Sequence, residues 1–234
     1  MNKKIIIAID GFSSTGKSTL AKMLSKHLSY MHINTGAMYR AVTLNAIRNY
    51  WIEFKNNEFF IKRNNIISSL HKLSLEFRVS QNNDYKMYMN NEDVENLIKT
   101  EKVSKYVSEI SKDGYLRDEI VFLQREIGKN GGVVMEGRDI GSVVFPDAEV
   151  KLFITASLEV RARRRYEELI KLGIAANFDN ILKNLDMRDS VDSSREKSPL
   201  LKVDDAILID NTSLNLSDQF NLVLGILKDK KIIL

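Results

Sequence analysis

The sequence predicts an α/β protein of three layers, a parallel five-stranded sheet between helices. Three observations predict it. Short apolar runs alternate with helical periodicities along most of the chain. The first run, Ile5-Ile6-Ile7-Ala8-Ile9, leads into a glycine-bounded turn and then into an amphipathic pattern at Leu20, Met23, Leu24 and Leu28. One segment, 50–98, breaks the alternation and reads as a small α+β insert.

In chain order, strands are expected at Ile5–Ile9, Met31–Ile33, Gly132–Met135, Val150–Ile154 and Ala206–Ile209, as short apolar runs. Helices are expected between them at Lys17–Leu28, Ala37–Arg48, Gly114–Lys129, Ser157–Leu172 and Ser217–Leu227. Within the insert, Leu73–Val79 and Lys86–Met89 read as strands joined by Gln81-Asn82-Asn83-Asp84, a hairpin-turn composition. The preceding segment, Asn56–Leu70, reads as helical. A sheet of this type binds ligands beyond the carboxyl ends of its strands. The polar segments Asp10–Thr19, Asn34–Tyr39, Glu136–Gly141 and the stretch after Ile154 are therefore expected to hold the site.

Composition bounds the class. The chain has 234 residues, 44% hydrophobic and 28% charged, which suits one globular domain with an insertion and disfavours disorder. No apolar run approaches the length of a membrane span, and Ile5–Ile9 is too short for the core of a signal peptide. With no cysteine there is no disulfide, thiolate metal site or thiol nucleophile. A cytoplasmic protein without a membrane partner is expected. The net charge of +4 could mark a nucleic-acid surface, solvated lysines, or arginines gathered around small phosphates. The densest basic cluster, Arg161 to Arg165, lies inside an amphipathic pattern rather than a tail, which favours small phosphates over nucleic acid.

The turn after the first strand is Gly11-Phe12-Ser13-Ser14-Thr15-Gly16-Lys17-Ser18-Thr19, a G-x-x-x-x-G-K-S phosphate loop with strand and helix correctly placed on either side. Its glycines let successive N–H groups surround a phosphate at the positive end of the following helix. Lys17 can reach the β- and γ-phosphates of a nucleoside triphosphate, and the Ser18 hydroxyl can ligate Mg²⁺. The guanine-reading pattern N-K-x-D is absent. Tyr39 and Arg40, after the second strand, offer an aromatic face and a bidentate fork. In Glu136-Gly137-Arg138-Asp139-Ile140-Gly141, Arg138 can hold a phosphate while Asp139 accepts from an amino group, or the two form an ordinary surface pair. Arg161, Arg164 and Arg165 share one helical face by spacing, as do Arg188, Asp192 and Arg195.

These blocks resemble the bacterial cytidylate kinases among the P-loop nucleoside monophosphate kinases. Carrying the resemblance are Thr35-Gly36-Ala37-Met38-Tyr39-Arg40, Gly137-Arg138-Asp139-Ile140-Gly141 through Ala148, Arg188-Asp189-x-x-Asp192-x-x-Arg195, Ser198-Pro199-Leu200 and Ile209-Asp210-Asn211-Thr212. The likeness spans essentially the whole chain. It implies a P-loop NTPase fold over 1–234, with an NMP-binding insert at 50–98 and a helical lid at 157–196. It implies transfer of the γ-phosphoryl of ATP, with Mg²⁺, to CMP or dCMP by a monomer. Residues 11–19 would hold ATP, and Thr35, Tyr39 and Arg40 would line the acceptor pocket, with Arg40 and Arg138 on the CMP phosphate. Ser108, Arg117 and Asp139 would read cytosine, and Arg188 and Asp192 the ribose. Arg161, Arg164 and Arg195 would face the phosphates, Asn211 and Thr212 would lie by the ATP base, and lid closure would exclude water.

Three positions depart from the pattern. Phe12 stands where proline is frequent, Asn34 where aspartate is common, and Arg163 adds charge beside the lid arginines. Glu136 or Asp10 could orient a metal-bound water. A kinase acting on UMP or on a non-nucleotide, and a nucleic-acid-stimulated ATPase, are the alternatives.

Overall fold

The computed structural model describes residues 4–81 and 84–232. In chain order it begins β1 (Ile6–Gly11), α1 (Lys17–Leu28), β2 (Met31–Asn34) and α2 (Thr35–Arg48). Next come β3 (Ile52–Lys55), β4 (Glu58–Ile61), α3 (Arg63–Leu70), β5 (Leu75–Val79), β6 (Tyr85–Met89) and β7 (Glu92–Asp93). Helices α4 (Glu101–Lys112) and α5 (Gly114–Gly128) then lead to β8 (Val133–Glu136) and β9 (Val150–Thr155). The chain finishes with α6 (Leu158–Lys171), α7 (Phe178–Ser194), β10 (Ile207–Asp210) and α8 (Leu216–Asp229). Two compact units result: Met1–Met31 with Gly131–Leu234, and His32–Asn130.

The first unit is built on strands β10, β9, β1 and β8 of the five-stranded sheet, in that spatial order, and β1 pairs parallel with both β8 and β9. Ile5, Ile7 and Ile9 alternate onto one face, where they pack with Leu20 and Leu24 of α1 and Val223 and Leu227 of α8. Register decides where the chemistry gathers. Ile9 lies opposite Glu136 and Gly11 opposite Ile154, so the phosphate loop, Glu136 and Thr155 leave the sheet at one edge. Five parallel strands agree with the fold class that the apolar runs predict.

The second unit has its own core, in which Met38 and Val42 of α2 pack with Ile66, Met87, Ile98, Ile110 and Ile120. It contains the hairpin β3–β4 and the antiparallel sheet β5-β6-β7. Strands β5 and β6 pair as the composition of 73–89 predicts, from Leu75 opposite Met89 to Val79 opposite Tyr85. Part of the expected turn, Asn82 and Asn83, lies outside the described residues.

Two local expectations are corrected. Residues 56–70 are helical only from Arg63; before that, Asn56 and Asn57 turn the chain into β4 with φ of 52° and 62°. Positive φ at both central residues makes the turn whose twist suits a two-residue hairpin, and asparagine tolerates it. Across it, Phe54 and Phe59 pair with ring centroids 4.8 Å apart. Secondly, Arg195 does not share a helical face with Arg188 and Asp192. Helix α7 stops at Ser194, and Arg195 has ψ of 134°. There the chain doubles back, and the Leu200 N–H donates to the Asp192 carbonyl at 2.8 Å. Helix α4 was not expected at all, although Val103, Val107 and Ile110 mark its inner face.

Candidate active site

The phosphate loop has the alternating backbone that an anion cradle needs. Ser14 and Gly16 adopt φ of 60° and 86°, and Gly16 caps the N-terminus of α1. Inside the loop, Thr15 Oγ1 donates to the Phe12 carbonyl at 3.0 Å. Lys17 is buried, and its ammonium donates to the same carbonyl and to Thr15 Oγ1. Burial, and after it the neighbouring Arg138 cation, hold the Lys17 pKa well below the usual lysine range, against the pull of Glu136, Asp10 and Asp192. A buried cation in short supply of counter-charge is suited to an incoming polyphosphate.

Ser18 is exposed at the mouth of the loop, and its Oγ donates to Glu136 Oε2 at 2.7 Å. These hydroxyl and carboxylate oxygens are hard donors of the kind Mg²⁺ takes. Asp10 has a different task. Its two oxygens accept the N–H groups of Ile140 and Gly141 at 2.8 and 2.7 Å, which caps the wide single turn Ile140–Val144 that follows Arg138 and Asp139. Of the two acids that could orient a metal-bound water, Glu136 bonds the metal-ligand candidate and Asp10 holds the turn.

The arginines converge on the loop from several elements. Arg138 donates from Nε to Asp192 Oδ2 at 2.9 Å and from Nη2 to Ser13 Oγ at 2.7 Å. Burial alone would raise the Asp192 pKa, but Arg138, Arg195 and Arg188 together hold it below the usual carboxylate value. Arg195 Nη1 lies 3.4 Å from Asp192 Oδ1 even from its non-helical position. Arg161 is buried, donating to the carbonyls of Ala156 and Ser13 and to Asp189. Arg164 places both Nη atoms 2.9 Å from Asn211, one on its side-chain oxygen and one on its carbonyl. The Asn211 amide in turn donates to the Thr15 carbonyl. Arg165, expected on the same face, instead pairs with Glu168 at the surface.

In the second unit, the Arg117 guanidinium is buried 5.3 Å from the centroid of the Tyr39 ring and donates to the Ser111 carbonyl at 3.2 Å. Ser108 stands on α4 one turn before Ser111, whose Oγ donates to the Ser108 carbonyl. Arg40 donates to the Ile98 carbonyl and to Ser104 Oγ at 3.1 and 2.9 Å. Thr35 is buried in the first turn of α2. One contributor, Asp189, has no role assigned from the sequence, and it pairs with Arg161. Asn211, expected by the ATP base, bonds Arg164 and the loop, and neither relation leaves a signal in local spacing.

The cytidylate kinase family model matches residues 7–229. A cytidylate kinase of Flavobacterium psychrophilum is 48% identical over 97% of this chain and 99% of its own length. One of Flavobacterium johnsoniae is 49% identical over 97% of each chain, and one of Parabacteroides distasonis 47% over 93% of each. The chain belongs to the cytidylate kinase family. It is thus a phosphotransferase of the P-loop kinase type.

The departures from the cytidylate kinase pattern have structural explanations. Asn34 caps α2, its Oδ1 accepting the Ala37 N–H at 3.3 Å, a task aspartate performs equally. Arg163 is exposed beside Glu159 and Phe178, away from the loop. Phe12 packs against Phe153, with ring centroids 6.0 Å apart.

Asp10 gives the protein a testable pH dependence. Burial raises its pKa to about 6 from 3.8, the backbone N–H groups of Gly141 and Ile140 offsetting only part of that. Between these values the native state binds more protons at Asp10 than the unfolded chain does. The group therefore costs stability as pH rises, by roughly 3 kcal/mol in all, and its slope is half its maximum at pH 6 and fades over about the next unit. In urea melts, the stability of wild type relative to Asp10→Asn is expected to fall by about 2 kcal/mol or slightly more between pH 4 and pH 7. A difference independent of pH would contradict the assignment.

Proposed function

We propose that the protein transfers the γ-phosphoryl group of ATP to CMP or dCMP, giving ADP and CDP or dCDP. The observation that carries this is the buried Lys17 beside the Ser18–Glu136 pair, at the carboxyl edge of the sheet, in a chain of the cytidylate kinase family. Residues 11–19 bind the ATP phosphates, with Lys17 on the β- and γ-groups. Ser18 and Glu136 would hold Mg²⁺, which would supply charge neutralisation to the phosphates.

The acceptor's phosphate is an anion and needs little general-base help, so the chain works by positioning and charge. Arg138 and Arg40 take the CMP phosphate, and Arg161, Arg164, Arg188 and Arg195 serve the transferring group and the lid. Arginine fits because charge spreads over several equatorial oxygens and a planar fork meets two of them at once. Thr35 and Tyr39 line the acceptor pocket, and Asp192 with Arg188 reaches the ribose. Asp139 and Ser108 accept from the cytosine amino group, with Arg117 alongside; a carboxylate there would repel the carbonyl that uracil carries at that place. Leaving such buried groups unpaired is costly, and this supports discrimination against UMP.

Residues 157–196 form a lid that excludes water during transfer, and 50–98 the NMP-binding insert of one kinase domain. A cytoplasmic monomer with small-molecule partners is supported by the family. No helix among the described residues is long and apolar enough to cross a membrane.

An ADP-release assay with Mg·ATP and a panel of CMP, dCMP, UMP, AMP and GMP tests the reading. Turnover is expected with CMP and dCMP, and Asp139→Ala should raise the KM for CMP by about ten- to a hundredfold. Turnover with UMP alone would overturn the base-reading assignment. No acceptor-dependent turnover at all would overturn the function.

A further inference from the structure

Resting on the reading that Arg161 serves the phosphates, we propose that Phe12 is the positioning residue that seats the Arg161 guanidinium against the phosphate loop. The hydrogen bonds of Arg161 run to the Ala156 carbonyl at 3.0 Å, the Ser13 carbonyl at 3.4 Å and the Asp189 carboxylate. Guanidinium N–H groups lie in the plane of the group, so these bonds fix rotation and reach within that plane. They leave motion along the perpendicular unconstrained. The Phe12 ring adds a contact that these bonds do not supply, with the Arg161 guanidinium carbon over the ring, 5.2 Å from its centroid. The attraction of a desolvated cation to a ring face is stronger than at an exposed site, and Arg161 is buried.

The ring is itself held. It meets Phe153 of β9 edge-on, with centroids 6.0 Å apart and planes at 89°. Leu200, Ala206 and Val203 complete the cluster. The backbone of the same residue belongs to the loop, and its carbonyl accepts from Thr15 Oγ1 and from the Lys17 ammonium. One residue thereby ties the loop lysine, through its carbonyl, to the α6 arginine, through its ring. Any displacement of Phe12 moves both cations.

Three features follow from this arrangement. The effect should fall on kcat rather than on the KM for CMP, because Phe12 acts through Arg161 and not on the acceptor. An aromatic ring should be required, not merely apolar volume. The effect should also vanish when the guanidinium is absent. Phe12→Leu keeps the apolar packing and removes the ring face; Phe12→Tyr keeps both.

The experiment measures steady-state CMP phosphorylation and thermal melting for the full chain with Phe12→Leu, Phe12→Tyr, Arg161→Lys and the Phe12→Leu/Arg161→Lys double variant. Phe12→Leu is expected to lower kcat by about tenfold with the KM for CMP unchanged. Phe12→Tyr should stay near wild type, and the double variant should be no slower than Arg161→Lys alone. The proposal is overturned if Phe12→Leu retains full kcat, if Phe12→Tyr loses as much as Phe12→Leu, or if the two substitutions act additively. Melting temperatures separate a folding defect from these outcomes. Arg161→Lys at the wild-type rate overturns the phosphate role of Arg161 and this inference together. Wild-type turnover with CMP tests the underlying function by itself.

Discussion

Replacing Lys17 with alanine is expected to lower CMP-dependent turnover by about 10²–10³-fold while leaving the fold intact. The loop's own residues offer the triphosphate backbone N–H groups and one buried ammonium, that of Lys17. Transfer spreads negative charge over the γ-phosphoryl oxygens and the bridging oxygen, so a cation held there acts most strongly in the transition state. Without substrate, burial and the Arg138 cation disfavour the charged form of Lys17. Removing it relieves a desolvated cation from beside another, so the melting temperature should stay level or rise. The release assay and a melting curve on the same preparation check both halves. Residual activity near wild type would remove Lys17 from the chemistry, and collapse of the fold would make it structural.

The second large effect is on stability. Gly11→Ala should destabilise the protein by about 3 kcal/mol or more, read from the midpoint of a urea titration. Gly11 ends β1 with φ of 141°, a conformation that side chains rarely adopt. A Cβ built there would lie 2.0 Å from the Ile154 carbonyl oxygen, in the strand that pairs with it. Backbone, unlike a flexible side chain, cannot swing aside. Relief would require β1 and β9 to part at the edge that positions the phosphate loop, so activity should fall along with stability. A Gly11→Ala variant as stable as wild type would mean that β1 leaves the sheet by another path.

Much of this was legible beforehand because it is local. Gly11, Gly16, Lys17 and Ser18 announce the loop by spacing, since the turn that surrounds a phosphate is built from consecutive residues. The five central strands read as apolar runs because both faces of the sheet are covered. The hairpin at Asn56-Asn57 was missed because it lacks glycine, whereas α4 does carry a helical signal in Val103, Val107 and Ile110.

The sequence by itself determined the phosphate loop, the chain order of the five central strands, and the residue types of the candidate site. Those follow from backbone conformation and periodicity over short distances along the chain. Only the tertiary structure decided which carboxylate or amide each cation meets. Asp189 for Arg161, Asp192 for Arg138 and Asn211 for Arg164 lie 28, 54 and 47 residues away along the chain. It also separated the tasks of two neighbouring acids, giving Glu136 to Ser18 and Asp10 to the turn after Asp139. The register of β1 against β8 and β9 brings these partners within reach, and register is set by packing of the whole sheet rather than by any one segment.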